Sequence, residues 1–348
     1  MCCWSACSPT SGSVAGSSAG PHVAVVVLCW NGHRDTLACL ESLGRVDWDQ
    51  LTTIVVDNGS TDGTAEAVRE RFPRVLLLRS NENLGFAEGN NVGLRAAFAA
   101  GADYVLLLNN DTVVDPGLLR ALVEEAELRP DAGALCPMIY YNQPADRIWY
   151  AGAAFDPRRV HNGRHTGYGD RDVGQYAKTR EIGRATGAAM LVRRKAVEDV
   201  GYLDHRLFLQ VEDVEWSLRM RAAGYRILFV PAGKVWHGVS VATGGEHAPA
   251  TAYYEMRNTL AVCARHFPLH GLAGLRREAA MVVIHLLHAR KADRPWTNLR
   301  AVLQGWRDYR AGRLGSWREA GPTGGPPPYD VPMGVRTRAS DASRAAAA

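Results

Sequence analysis

The 348-residue chain is 47% hydrophobic and 22% charged, with 40 basic against 36 acidic residues and a formal net charge of +4. That length buries a substantial core, in one large domain with appendages or in two smaller ones, and the charge is too small to imply a nucleic-acid partner. Seven cysteines without a C-x-x-C pair support neither a zinc site nor a disulfide framework and read as small core residues in a reducing cytoplasm.

Residues 1–21 are rich in Ser, Gly and Ala and lack the basic start and apolar stretch of a signal peptide. They read as a disordered leader, or as the product of a start codon placed too early. HVAVVVLCW (22–30) is a nearly continuous β-branched run, as in a strand covered on both faces. RDTLACLESL then has the helical spacing of Leu37, Leu40 and Leu43. LTTIVVDNGSTDGT is a second strand that stops at Asp57, turns through Asn58-Gly59 and leads to a helix over 65–71 capped by Asp62. RVLLLRS is a third strand, and NLGFAEGNNVGLRAAFAAG is a loop into a helix starting near Phe86 and closed by Gly101. DYVLLLNND is a fourth strand. It precedes a helix with Pro116 in its first turn and a fifth strand, AGALCPMIY. This alternation predicts an α/β fold with a doubly wound, mostly parallel sheet of Rossmann-like type.

From Trp149 to Tyr176 the chain is rich in Gly, Arg and Tyr and reads as a long loop or small irregular sheet near substrate. RATGAAMLVRRKAVEDVG follows as a strand and short helix, and EDVEWSLRMRAAGYRILFVPAGKVWH as a helix, a glycine turn and two strands. After a break in composition at Thr243–Pro249 come helical patterns over 251–266, 272–289 and 295–311, then a Pro-, Gly- and finally Ala-rich tail. No run reaches the ~18 apolar residues of a membrane-spanning helix.

Ligands of such sheets bind beyond the carboxyl ends of the strands, where Asn31, Asp57, Asn81 and Asn109 to Asp111 stand. Asp57 beside its glycine turn suits a nucleobase or ribose, or else an Asx-turn. In NENLGFAEGNN, Asn83, Gly85 and Asn90 suit close approach of a ligand, and the helix start suits an anion; a capped polar loop is the alternative. The loop is neither a G-x-G-x-x-G fingerprint nor a Walker-type phosphate loop. Asp111 suits Mg²⁺ or Mn²⁺ together with substrate phosphates, while Asn109 and Asn110 offer hydrogen bonds to a sugar or a ligand water. His237 also follows a short strand and is a second metal ligand if the fold brings it to Asp111, and otherwise structural. Glu212, Asp213 and Glu215 crowd a helix start, either as dipole compensation or as a general base.

The ordered set VVVLCWNG, VVDNGSTDGT, NLGFAEGNNVGL, LLLNNDTVVDP, TGAAMLVRR, FLQVEDVEWSLRMRAAGY and VWH resembles family-2 inverting glycosyltransferases of the GT-A fold, especially bacterial rhamnosyltransferase-like members, over roughly residues 23–237. The resemblance implies that 22–242 is a GT-A catalytic domain; the helical patterns make 243–318 a C-terminal helical region, and composition makes 319–348 a disordered tail. Asp57 matches the carboxylate that contacts the base of the nucleotide, and Asn109, Asn110 and Asp111 stand at the D-x-D position, here with Asn first. Asp111 and His237 match the metal ligands for Mn²⁺ or Mg²⁺. Asp213 matches the catalytic base, with Glu212 beside it, and Thr186 and Gly187 fall on the acceptor side; Trp216, placed on that side too, and Trp236 suit either a sugar or the core.

The implied reaction moves a sugar from a nucleotide sugar, dTDP-rhamnose first and a UDP-sugar next, to a saccharide or lipid-linked saccharide of the cell envelope. Two other classes stand beside it. A sugar-1-phosphate nucleotidyltransferase needs a Gly-rich basic N-terminal loop, which CWNGHRDT matches poorly. A non-catalytic nucleotide-sugar-binding protein would be favoured by loss of Asp111 or Asp213, and both are present. LRREAAMVVIHLLHARKADR carries an apolar stretch with basic flanks, which suits peripheral contact with the inner face of the plasma membrane from the cytoplasm. Packing on the catalytic domain or in a homo-oligomer interface is the equal alternative.

Overall fold

The computed structural model describes residues 20–154, 165–239 and 248–317. The expectations for 1–19, for the tail from 318, and for the break in composition before residue 248 lie outside the described residues, as does 155–164 of the irregular stretch.

Four strands form the first half of the sheet: β1 (Val23–Cys29), β2 (Leu51–Asp57), β3 (Leu76–Arg79) and β4 (Tyr104–Asn109). They run parallel in the order β3-β2-β1-β4. Val23–Val27 of β1 and Val105–Leu107 of β4 are fully buried, because α1 (His33–Leu43), α2 (Thr64–Arg71) and α3 (Gly85–Ala99) cover the sheet. Register aligns the polar strand ends at one edge: Cys29 lies opposite Asp57, Leu28 opposite Asn109, and Asp57 opposite Arg79.

The second half mixes directions. β5 (Thr112–Val114), α4 (Leu118–Leu128), β6 (Ala132–Tyr141), β7 (Ile148–Tyr150), β8 (Arg180–Glu181) and β9 (Ala189–Arg193) are followed by α5 (Arg194–Val200), α6 (Glu212–Ala222) and β10 (Arg226–His237). β9 sits antiparallel between β4 and β6, and β10 runs parallel to β6 and antiparallel to β5. The mixed α/β fold with a mostly parallel central sheet and a helical C-terminal region agrees with the expected class.

Several local expectations change. β10 is one strand instead of two, with a register shift between Val230 and Lys234, where Pro231 has no N–H to give the ladder. Helix α2 is capped at Gly63, while Asp62 accepts from Thr64 N and from His33 N. Pro116 precedes the cap residue Gly117 of α4. The helices α7 (Pro249–His266), α8 (Gly271–Ala289) and α9 (Pro295–Arg310) share a cluster of Met256, Leu260, Cys263, Met281 and Val302. Cys29, Cys39, Cys136 and Cys263 are free and buried, and burial pushes the first three thiols up to about 12.

Candidate active site

The loops after β1, β2 and β3 tie one another down. Asn31, at φ 58°, accepts from Thr61 N at 3.0 Å and donates its own N–H to Ser60 Oγ at 2.8 Å. Asn58 donates to Asn83 Oδ1 and Gly85 O and accepts from Leu84 N. Asn83 also accepts from Gly85 N at 2.8 Å, and Asn90 is buried with its amide on Phe86 O of its own helix. Asn31 and Asn83 thus hold the rim by these bonds, while Asn90 bonds within its own helix. Asp57 differs. It is fully buried with Oδ1 on Ser60 N, while Oδ2 lies 3.2 Å from Arg79 Nε outside hydrogen-bonding geometry. That oxygen is paired in charge with Arg79 but makes no hydrogen bond among the described residues.

The expected anion site at the start of α3 is filled from within. Phe208 O accepts from Phe86 N at 2.6 Å and from Ala87 N at 3.3 Å. A Cβ on Gly85, which has φ 80°, would meet Phe208 O at 2.6 Å, so Gly85 is required there by the protein's own backbone and not by a phosphate.

Asp111 and His237 do meet. The antiparallel pairing of β5 with β10 sets His237 opposite Thr112, one residue beyond Asp111, and His237 Nε2 stands 3.1 Å from Asp111 Oδ1. Asn109 Nδ2 is 3.3 Å from the same nitrogen. Gly238 N donates to Asp111 O, closing the corner. Ligand bonds of about 2.1 Å at right angles put neighbouring donor atoms about 3 Å apart, so this oxygen and nitrogen fit one divalent cation. No cluster of three or more His, Cys, Asp or Glu suited to a metal occurs among the described residues, so the remaining ligands would be phosphate oxygens and water. Asn110, expected to face a sugar, instead donates its buried amide to Thr36 Oγ1 at 2.9 Å.

Asp213 stands in the first turn of α6, half-buried. Its Oδ2 accepts from Gly187 N at 3.0 Å, and the next residue, Ala188, accepts from Asn109 N at 3.0 Å. Two consecutive residues therefore connect the carboxylate to the end of β4. A Cβ on Gly187 would lie 2.8 Å from the Phe86 ring, which explains glycine beside the buried Thr186. Glu212 is buried and its Oε2 has no hydrogen-bond partner among the described residues. Burial, and then the charge of Asp213, pushes its carboxyl up to about 8. Glu215 is inside the protein. Burial alone would raise its carboxyl, but His266 and Arg219 hold it below the usual range.

Trp216 is corrected: it is fully buried, its indole N–H on Gly201 O at 2.8 Å, and it belongs to the core instead of the acceptor side. Trp236 stacks on Tyr140, with centroids 5.8 Å apart. Trp149 escaped sequence reasoning as a site residue. Its ring contacts His237 edge-on at 4.7 Å and His165 at 4.5 Å, and burial followed by the Arg184 charge lowers His165 to about 3. Its only signal was its place at the head of the aperiodic stretch.

The glycosyl transferase family 2 model matches residues 24–201, just over half of the chain. The chain is similar to the N-acetylglucosaminyl-diphospho-decaprenol L-rhamnosyltransferase of Mycobacterium tuberculosis H37Rv, at 31% identity over 246 residues covering 65% of this chain and 79% of the relative. Among solved structures it is similar to the mannosyltransferase PcManGT from Pyrobaculum calidifontis in complex with GDP-Man and Mn²⁺, with a TM-score of 0.52, 19% identity, and coverage of 86% and 78%. It is also similar to S. aureus TarS 1–349 in complex with UDP, with a TM-score of 0.50, 16% identity, and coverage of 84% and 92%. These two likenesses speak for the fold.

Proposed function

Because the chain belongs to glycosyl transferase family 2 and is a glycosyltransferase, we propose that it transfers rhamnose from dTDP-rhamnose, with inversion, to a hydroxyl of a lipid-linked saccharide in cell-envelope polysaccharide synthesis. The observation that carries this reading is the short Gly187–Ala188 strap, which joins the Asp213 carboxylate to the strand end beside Asp111 and His237. The M. tuberculosis relative, whose name specifies L-rhamnosyl transfer to a diphospho-decaprenol saccharide, supports the donor and acceptor class.

In this reading Asp57 Oδ2 accepts from the nucleotide base. Asp213 takes the proton of the acceptor hydroxyl as that oxygen bonds to the anomeric carbon. The bond from that carbon to the β-phosphate oxygen breaks, and the nucleoside diphosphate leaves with the electron pair, inverting the centre. Asp111 and His237 would hold a divalent cation, Mn²⁺ or Mg²⁺, which supplies charge neutralisation to the diphosphate. The test is purified protein with Mn²⁺, a diphospholipid-linked N-acetylglucosamine acceptor and a panel of nucleotide sugars. Release of dTDP with a product of inverted configuration is expected; transfer from a UDP-sugar alone would replace the donor assignment.

The same reading places the enzyme at an anionic membrane surface. Along α8 the exposed Leu272, Leu275, Val283 and Leu287 recur at helical spacing with Arg276 and Arg290 on one face. Lys291, Arg294 and the 77%-exposed Trp296 follow directly. No helix among the described residues is long and apolar enough to cross a membrane. Flotation with anionic vesicles is expected, and its loss in Leu275→Glu/Leu287→Glu. Failure of the unaltered chain to float, with a dimer in solution, would assign the face to a second copy.

A further inference from the structure

The residues that lead into α6 are strained and are held from outside the sheet. Phe208, Gln210 and Val211 have φ of 64°, 68° and 72°, a region that side-chain-bearing residues seldom enter, least of all a β-branched valine. Leu209 N donates to Leu207 O at 2.8 Å across Phe208, a three-residue turn of the strained hand. Local sequence does not favour such a backbone, so tertiary contacts must impose it.

Those contacts come from α7. Asn258 Nδ2 lies 2.9 Å from Leu207 O, 2.8 Å from Leu209 O and 2.8 Å from Gln210 O. Three carbonyls around one amide nitrogen fix its orientation, since the flipped amide would set oxygen against oxygen. Arg257 Nε donates to Asn258 Oδ1 at 2.9 Å, and its Nη2 donates to Leu207 O at 3.0 Å. Both side chains are fully buried, and the guanidinium stands 5.2 and 5.0 Å from the Tyr253 and Tyr254 rings. The Tyr254 ring also stacks on Phe208, centroids 5.4 Å apart.

The clamped turn reaches two elements that border the site. Phe208 O receives the first N–H groups of α3, and Val211 O receives Glu215 N in the first turn of α6, which carries Asp213. We infer that Asn258, oriented by Arg257, is a positioning residue: it holds the 207–211 turn so that Asp213 meets the acceptor hydroxyl. The C-terminal helices are then part of the catalytic unit. This rests on Asp213 being the base.

The test is Asn258→Ala in the full-length chain, assayed by steady-state transfer and calorimetric nucleotide binding. Misplacement by a fraction of an ångström should lower kcat about ten- to a hundredfold, with a much smaller change in nucleotide affinity. Adding Gln210→Gly, which accepts positive φ freely, should recover part of the lost kcat. Lost side-chain packing would not be repaired that way. Arg257→Lys keeps the buried charge but not the Nε–H; it should lower kcat in the same direction and serves if Asn258→Ala does not fold. A kcat within about twofold of the unaltered enzyme in either folded variant, well below the expected loss, or no recovery in the double variant, overturns the inference. Asp213→Asn separates the two claims: if it stays active while Asn258→Ala does not, the base assignment fails and the clamp stands.

Discussion

The rim that would face the nucleotide and the corner that would face the reacting bond differ in how their polar groups are partnered. On the rim Asn31, Asn58 and Asn83 are bonded to neighbouring loops. At the reacting corner, Glu212 Oε2 and His237 Nδ1 are buried without hydrogen-bond partners among the described residues, and Asp111 and His237 face each other directly. Among the described residues the rim's exceptions are His33 Nδ1 and Asp57 Oδ2, the latter beside the Arg79 guanidinium. Bonded loops make a rigid wall. Buried atoms without partners are costly, and a ligand or a proton is one way to complete them.

Asp213→Asn, which keeps shape but cannot take a proton at working pH, should have the largest effect. Transfer should fall about 10²- to 10⁴-fold while nucleotide binding survives, with Glu212→Gln the milder control. Near-normal transfer would move the base role to Glu212, because Glu215 is enclosed by Arg219, Arg265 and His266.

Next in size is the metal corner. Chelation with EDTA should abolish turnover, and Mn²⁺ or Mg²⁺ should restore it. Asp111→Asn should weaken metal-supported nucleotide binding by more than about tenfold, since loss of an outer partner alone costs that much at metal sites. Isothermal calorimetry with and without metal reads this directly, and full activity in chelator would remove the two-ligand site.

The smallest effect concerns stability. Glu212 is raised from 4.5 to about 8. Between those values the folded chain keeps a proton that the unfolded chain has released. Its contribution to stability therefore falls as pH rises through that window and levels off above it. Glu212→Gln should remove this slope in urea unfolding measured across the window. Equal slopes for both proteins would mean that Glu212 is ionised in the fold.

How much was legible varied with the kind of signal. The β1 and β4 runs announced strands covered on both faces because continuous β-branched and leucine stretches have few other uses. β5 escaped because three residues carry no period, yet it is the strand that places His237 beside Asp111. Gly85 and Asn110 were read toward ligands because small and amide residues at the edges of strands and helices serve ligands and loops alike. Only their contacts, with Phe208 O and Thr36 Oγ1, separate the two uses. Trp216 was ambiguous for the same reason: its position in the helix was plain, but the face it presents depends on what α6 packs against.

The long strands and the helices, the polar strand ends at one edge, and the set of motifs that marks the family were all readable from the amino-acid sequence alone. Those properties follow from periodicity and local chemistry, which short-range steric and solvation preferences control. The tertiary structure decided what is adjacent across the fold: Asp111 with His237 over more than a hundred residues, Asp213 with the end of β4 through an antiparallel insertion, and Asn258 with three carbonyls of a turn nearly fifty residues earlier. Such contacts depend on strand direction and register. Both are set by the global packing of the sheet and leave no period in the chain.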